Sequence, residues 1–197
     1  MTAYTLPFES IDLKSLPQVG GKNASLGEML QTLGEKGIKV PNGFAVTADA
    51  YRFFLEKNSL TKDLTNLLAS LDTEDLSNLH EVGEECRTLL RDASLPPELR
   101  EAILRAYERL GGMAVAVRSS ATAEDLPTAS FAGQHDSFLN ILGDDALLKA
   151  THNCYVSLFN DRAIKYRIDN GFDHMDVALS VGVQRMVRSD KASAGVI

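Results

Sequence analysis

Three short stretches carry residue types that could do ligand chemistry, two of them suited to holding an anion. The first is Gly20-Gly21-Lys22-Asn23. A glycine pair lets backbone N–H groups turn towards an anion, a helix N-terminus adds about half a positive charge, and a lysine adds a full one. Together they suit a phosphate. The phosphate-loop pattern G-x-x-x-x-G-K-[ST] requires Ser or Thr after the lysine, and Asn23 stands there instead. The alternative is a Gly-Gly turn before a helix, with Lys22 in solvent.

The second stretch is VAVRSSATAEDLPTASFAGQHDSFLNI, from Val115 to Ile141. Two apolar runs flank a loop of small and hydroxyl residues, and the first run ends on Arg118. A guanidinium is a planar fork that holds a phosphate by two bonds. Ser119, Ser120 and Thr122 supply short donors, while Ala121, Ala123, Ala129, Ala132 and Gly133 keep the loop thin. Such a loop resembles the lids that fold over triphosphates. The competing arrangement is a surface hairpin with Arg118 paired to Glu124 or Asp125. The third candidate is Gln184, polar within the apolar run VALSVGVQRMV. Its amide suits an adenine edge, and equally an outward-facing place on an edge strand. His80, His135, His152 and His174 receive no role, and Asp125, Asp136 and Asp173 lack the spacing of metal ligands.

The surrounding elements follow from periodicity. A short strand is expected over 7–13, then a helix opened by the glycine pair, with Leu26, Met29, Leu30 and Leu33 on one face. Pro41-Asn42-Gly43 signals a turn before a strand over 44–46. Thr47 suits the N-cap of a helix over 48–57. Residues 60–110 read as helical throughout, with Pro96 and Pro97 starting the last helix and Gly111 and Gly112 ending it. Strands over 113–118 and 136–141, helices over 144–159 and 161–170, a strand over 177–187 and its antiparallel neighbour from Ala192 complete an α+β pattern. The helical stretch is expected to pack beside the strand pairs.

The totals set bounds. The chain has 197 residues, 44% hydrophobic and 24% charged, as a globular domain with a true core would. A net charge of −7 argues against a general nucleic-acid binder. Two cysteines, Cys86 and Cys154, make no metal-ligand pattern. There is no signal-peptide pattern at the start and no membrane-length apolar run, which points to a cytoplasmic protein without membrane contact. The last residues, KASAGVI, break off inside an apolar run, as in a piece of a longer protein.

In one order, the segments VGGKNASLGEML, VPNGFAVTADAYRFFL, AVRSSATAEDLPTASFAGQHDSFLNI and SLFNDRAIKYRIDNGFDHMDVALSVGVQRMV resemble the nucleotide-binding domain of the dikinase family. That family includes the phosphoenolpyruvate synthases, the pyruvate phosphate dikinases and the rifampicin phosphotransferases. The block from Phe172 to Val187 is most similar to the synthases.

The resemblance implies the first half of an ATP-grasp-type domain, antiparallel strands with packed helices, spanning 1–197. It implies that Lys22 and Arg118, with Ser119, contact ATP phosphates, that Gly133, Gln134 and Ser137 lie over the nucleotide, and that Gln184 lies near the base. It implies Mg²⁺, with ligands mostly outside this chain, and a reaction of ATP, pyruvate and water giving AMP, phosphoenolpyruvate and phosphate through a phosphohistidine. The phosphohistidine and pyruvate domains lie outside this sequence. On that basis the chain alone is expected to bind ATP weakly and to be inactive, the whole protein being a homo-oligomer. A related drug phosphotransferase, or a non-catalytic remnant acting as a binding module, are the alternatives.

Overall fold

The computed structural model describes residues 3–122 and 136–187. Among these, five strands form one antiparallel sheet: β1 (Thr5–Pro7), β2 (Gly43–Val46), β3 (Val115–Ala121), β4 (Ser137–Ile141) and β5 (Leu179–Arg185), in the spatial order β1-β2-β5-β3-β4. β5 is central, with Val181 to Gln184 facing Val46 to Gly43 on one side and the whole strand facing β3 on the other. A strand paired on both edges and covered on both faces reads as a run of apolar and small residues. This sequence does so, from Leu179 to Val183. The central place of β5 overturns the edge-strand alternative for Gln184.

The two sheet faces differ. Strand alternation turns Leu179, Val181 and Val183 to one side, with Val115, Val117 and Ala121 of β3. That side joins a single apolar core with six helices: α1 (Ala48–Lys57), α2 (Leu60–Ala69), α3 (Leu79–Asp92), α4 (Pro97–Arg109), α5 (Asp144–Ser157) and α6 (Asp161–Asp169). Thr47 caps α1, its hydroxyl accepting from the Ala50 N–H at 3.3 Å. The opposite face carries Ser180, Gly182 and Gln184 and is covered by the amino-terminal helix αN (Leu16–Gly34) over a smaller core of Phe8, Ile11, Val19, Ala24 and Ala45.

Three expectations shift. The strand expected over 7–13 stops at Pro7 and becomes two tight helical turns. The Asp12 carboxylate there accepts from the N–H groups of Lys14 and Ser15 at 3.0 and 3.1 Å, which withdraws them from sheet pairing. The helix expected after the glycine pair begins earlier, at Leu16, and is broken at Gly20, whose φ of 71° and ψ of 165° are non-helical. The stretch 60–110 forms three helices, the third from Pro97 as expected, but it is not helical throughout, since residues 70–78 lie between the first two. Asn78 interrupts it by accepting from the Asp72 N–H at 2.8 Å and donating to the Ser70 carbonyl at 2.8 Å. The strand expected from Ala192 lies outside the described residues.

Two arginines hold the last helices in place. Arg87 on α3 is 7% exposed and donates to the Phe159 carbonyl and the Asp161 carboxylate, both at 2.7 Å, and to Glu84 at 2.9 Å. Arg167 on α6 is fully buried, donating to the Leu158 carbonyl at 2.7 Å and to Nδ1 of His174 at 2.8 Å. Burial pushes Arg167 down to about 10.

Candidate functional site

Where αN restarts after Gly20 and crosses β5 and β3, the surface forms a recess of about 330 Å³. Lys22, Asn23, Arg118, Gly182 and Gln184 border it, so residues more than 150 positions apart in sequence meet here.

Each is placed by a local cause. Arg118 is the single exposed residue of a strand otherwise buried along its length. Its register partners are Gly182 on β5 and Ser137 on β4. Cross-strand partners share a face, so Ser137 lies on the same sheet face as Arg118. On the other side, the space over Gly182 is taken by the Asn23 side chain. Lys22 is exposed on the first turn of αN beyond the break. Gln184 lies two residues beyond Gly182, on the same face, and its amide nitrogen donates to the Pro41 carbonyl at 3.0 Å. Among the described residues no carboxylate pairs with Arg118, and none borders the recess.

The hydroxyl-rich stretch divides its labour. Ser119 also borders the recess, yet it is 3% exposed and alternation assigns its side chain to the opposite face, with Val117 and Ala121. The Ser120 hydroxyl accepts from the Asn23 N–H at 3.4 Å. Thr122 closes the end of β3 on Ala178, donating to its carbonyl at 3.2 Å and accepting from its N–H at 3.3 Å. These hydroxyls hold the frame. Gly133, Gln134, and Glu124 and Asp125 as partners of Arg118, lie outside the described residues.

Sequence reading alone passes over the parts beneath the cations. Gly20 has a positive φ, and a β-carbon there would collide with the main chain of Ser120 and Ala121. A β-carbon on Gly182 would collide with the side chain of Asn23. Asn23 is 2% exposed and donates its amide hydrogens to the Val19 carbonyl and the Ser180 hydroxyl, each at 3.0 Å. The small residues that interrupt the β5 run, Ser180 and Gly182, were the available signal.

Other features do not rival this recess as an anion site. A larger hollow of about 1190 Å³ lies over α4, but Arg105 on its wall is paired with Glu101 at 3.1 Å. His80 bonds Asp161 at 2.8 Å on the surface, and His152 bonds the Leu90 carbonyl at 2.7 Å. Among the described residues no group of three or more His, Cys, Asp or Glu is placed to hold a metal ion. Among them, too, no helix is long and apolar enough to cross a membrane.

The family described as pyruvate phosphate dikinase, AMP/ATP-binding domain, matches residues 16–197. The chain is 52% identical over 206 residues to a phosphoenolpyruvate synthase of Synechocystis sp., covering 100% of this chain and 25% of that protein. It is 50% identical over 194 residues to the phosphoenolpyruvate synthase of Escherichia coli, covering 96% of this chain and 24% of that one. The corresponding enzyme of Aquifex aeolicus is 48% identical over 201 residues, with 99% and 24% covered. The chain thus spans about a quarter of the length of the curated relatives it matches.

Proposed function

The chain belongs to the pyruvate phosphate dikinase AMP/ATP-binding domain family, and we propose that it supplies the phosphate-holding part of the ATP site of a phosphoenolpyruvate synthase. The observation that carries this reading is the convergence of two exposed cations, Lys22 and Arg118, on one recess. The near-50% identity to phosphoenolpyruvate synthases along the chain favours that branch over the drug phosphotransferases.

In this reading the fold is ATP-grasp-type and the substrate is ATP. Phosphoryl transfer leaves little covalent work to the protein, and catalysis rests on positioning and on charge compensation. Lys22 and Arg118 offer that compensation to the oxygens of the transferred group, Arg118 through a bidentate fork and Lys22 as a point charge. Ser137 adds a hydroxyl beside Arg118, and Gln184 turns its amide towards the base. Gly133 and Gln134 belong to the segment proposed to lie over the nucleotide. The hydroxyl of Ser119 is left out, because it faces the helical core.

The full reaction takes ATP, pyruvate and water to AMP, phosphoenolpyruvate and phosphate through a phosphohistidine, carried out by a cytoplasmic homo-oligomer in which further domains hold the histidine and pyruvate. Mg²⁺ belongs to such chemistry, but the described residues of this recess offer no carboxylate to hold it. Its ligands are assigned elsewhere, and no step here runs through it. The test is direct: the native polypeptide that carries this chain is purified and supplied with ATP, pyruvate and Mg²⁺. Formation of AMP and phosphoenolpyruvate in equal amounts is expected. ATP turnover that ignores pyruvate would overturn the assignment.

A further inference from the structure

We propose that Asn23 is the positioning residue of the recess, fixing the helix cation Lys22 against the strand cation Arg118. The inference rests on the reading of the recess as a phosphate site. Asn23 follows Lys22 directly in the chain, and its side chain lies over Gly182, the register partner of Arg118. It therefore touches the supports of both cations.

The link is rigid because every attachment is buried. The main-chain N–H of Asn23 reaches the Ser120 hydroxyl on β3 at 3.4 Å. Its side-chain amide reaches the Val19 carbonyl, on the far side of the Gly20 break, and the Ser180 hydroxyl on β5, both at 3.0 Å. Ser180 in turn donates to the Val46 carbonyl of β2 at 2.7 Å. One residue thus ties αN to three strands and bridges the break in its own helix.

This also accounts for Asn where a phosphate loop has Ser or Thr. A hydroxyl has one hydrogen to donate, whereas the planar amide has two and spends both here. Two cations on one recess both gain from a phosphate placed between them. A frame that holds them at a fixed separation beforehand spares the ligand the cost of assembling them.

The experiment uses the native polypeptide carrying this chain. Calorimetry measures Kd for ATP and for AMP, and thermal melting follows folding. Asn23→Ala is expected to weaken ATP about tenfold or more, and AMP by less than about twofold, because AMP lacks the outer phosphates that the cations hold. A packing role alone would weaken both nucleotides alike. Ser180→Ala removes one acceptor while keeping Asn23 and is expected to show the same split at smaller size, so it carries the test if Asn23→Ala does not fold. Lys22→Ala and Arg118→Ala separate the two ideas. If these leave ATP binding intact, the phosphate-site reading falls and this inference with it. If they weaken ATP while Asn23→Ala and Ser180→Ala spare it, or weaken ATP and AMP equally, the positioning role alone is overturned.

Discussion

Arg118 and Gly182 face each other across β3 and β5, the strand's one exposed residue opposite a residue with no side chain. The missing side chain at Gly182 leaves room beside Arg118 for the Asn23 side chain. It also lets αN approach close enough for Lys22 to share the same recess.

The two cations should therefore matter for ligand and little for stability. Both are exposed, and substitutions at such positions usually change stability by about 0.5 kcal/mol or less. Arg118→Ala and Lys22→Ala should each weaken ATP by roughly 10- to 100-fold, the worth of a charge-assisted hydrogen bond or two. Arg118→Lys should recover only part of this, since an ammonium lacks the bidentate fork. Calorimetry beside thermal melting checks the separation, and a variant that lowers Tm in proportion to its affinity loss would contradict it.

Gly182→Ala should behave in the opposite way. Its methyl group would collide with the Asn23 side chain, which is held by two hydrogen bonds. Overpacking of a buried site typically costs about 1–3 kcal/mol. Denaturant unfolding should show that loss, and Asn23→Ser in the same molecule should relieve part of it by shortening the side chain. Strictly additive effects would deny the contact.

Arg87 joins α3 to the start of α6 through Asp161 and the Phe159 carbonyl. Arg87→Ala leaves that carbonyl and a partly buried carboxylate without their donor, a change expected to cost about 2–4 kcal/mol. A urea midpoint within error of the parent's would show the network to be decorative.

His174 makes folding sensitive to mild acid. Its Nδ1 accepts from Arg167, so the ring must stay neutral there. Burial first, and the Arg167 charge second, lower it to about 4, against an ordinary value of 6.5. The folded value lies below the unfolded one. The contribution is therefore complete above about pH 6.5 and lost as pH falls towards 4. After discounting for solvent it amounts to roughly 1–2 kcal/mol. Glu84, held down to about 2 by Arg91 and then Arg87, acts in a lower window, below its ordinary 4.5. His174→Gln keeps an acceptor for Arg167 without titrating, so its urea midpoint should change less between pH 7 and pH 5 than the parent's. Equal changes would contradict the assignment.

Local chemistry made much of the fold legible. Thr47 as a cap, Pro97 at a helix start and the alternation of β5 all act within a few residues of where they are read. The site is legible in sequence as two separate anion-suited stretches and one polar residue, Gln184, in an apolar strand. What joins them is not: Asn23 meets Ser180 across 157 positions, and only the pairing of β5 between β2 and β3 brings them together. The segment after Pro7 misled because its apolar residues fit a strand, while Asp12 diverts the backbone through a contact that a period count does not register. The hydroxyls after Arg118 were read as ligand donors because their type is plain in sequence. Their partners, Asn23 and Ala178, are not.

The central claim is that Lys22 and Arg118 hold nucleotide phosphates together. The most direct measurement is a crystal structure of the native polypeptide with a non-hydrolysable ATP analogue. The account predicts phosphate oxygens within hydrogen-bond reach of both side chains. A nucleotide seated elsewhere, such as in the hollow over α4, with Lys22 and Arg118 in solvent, would contradict it.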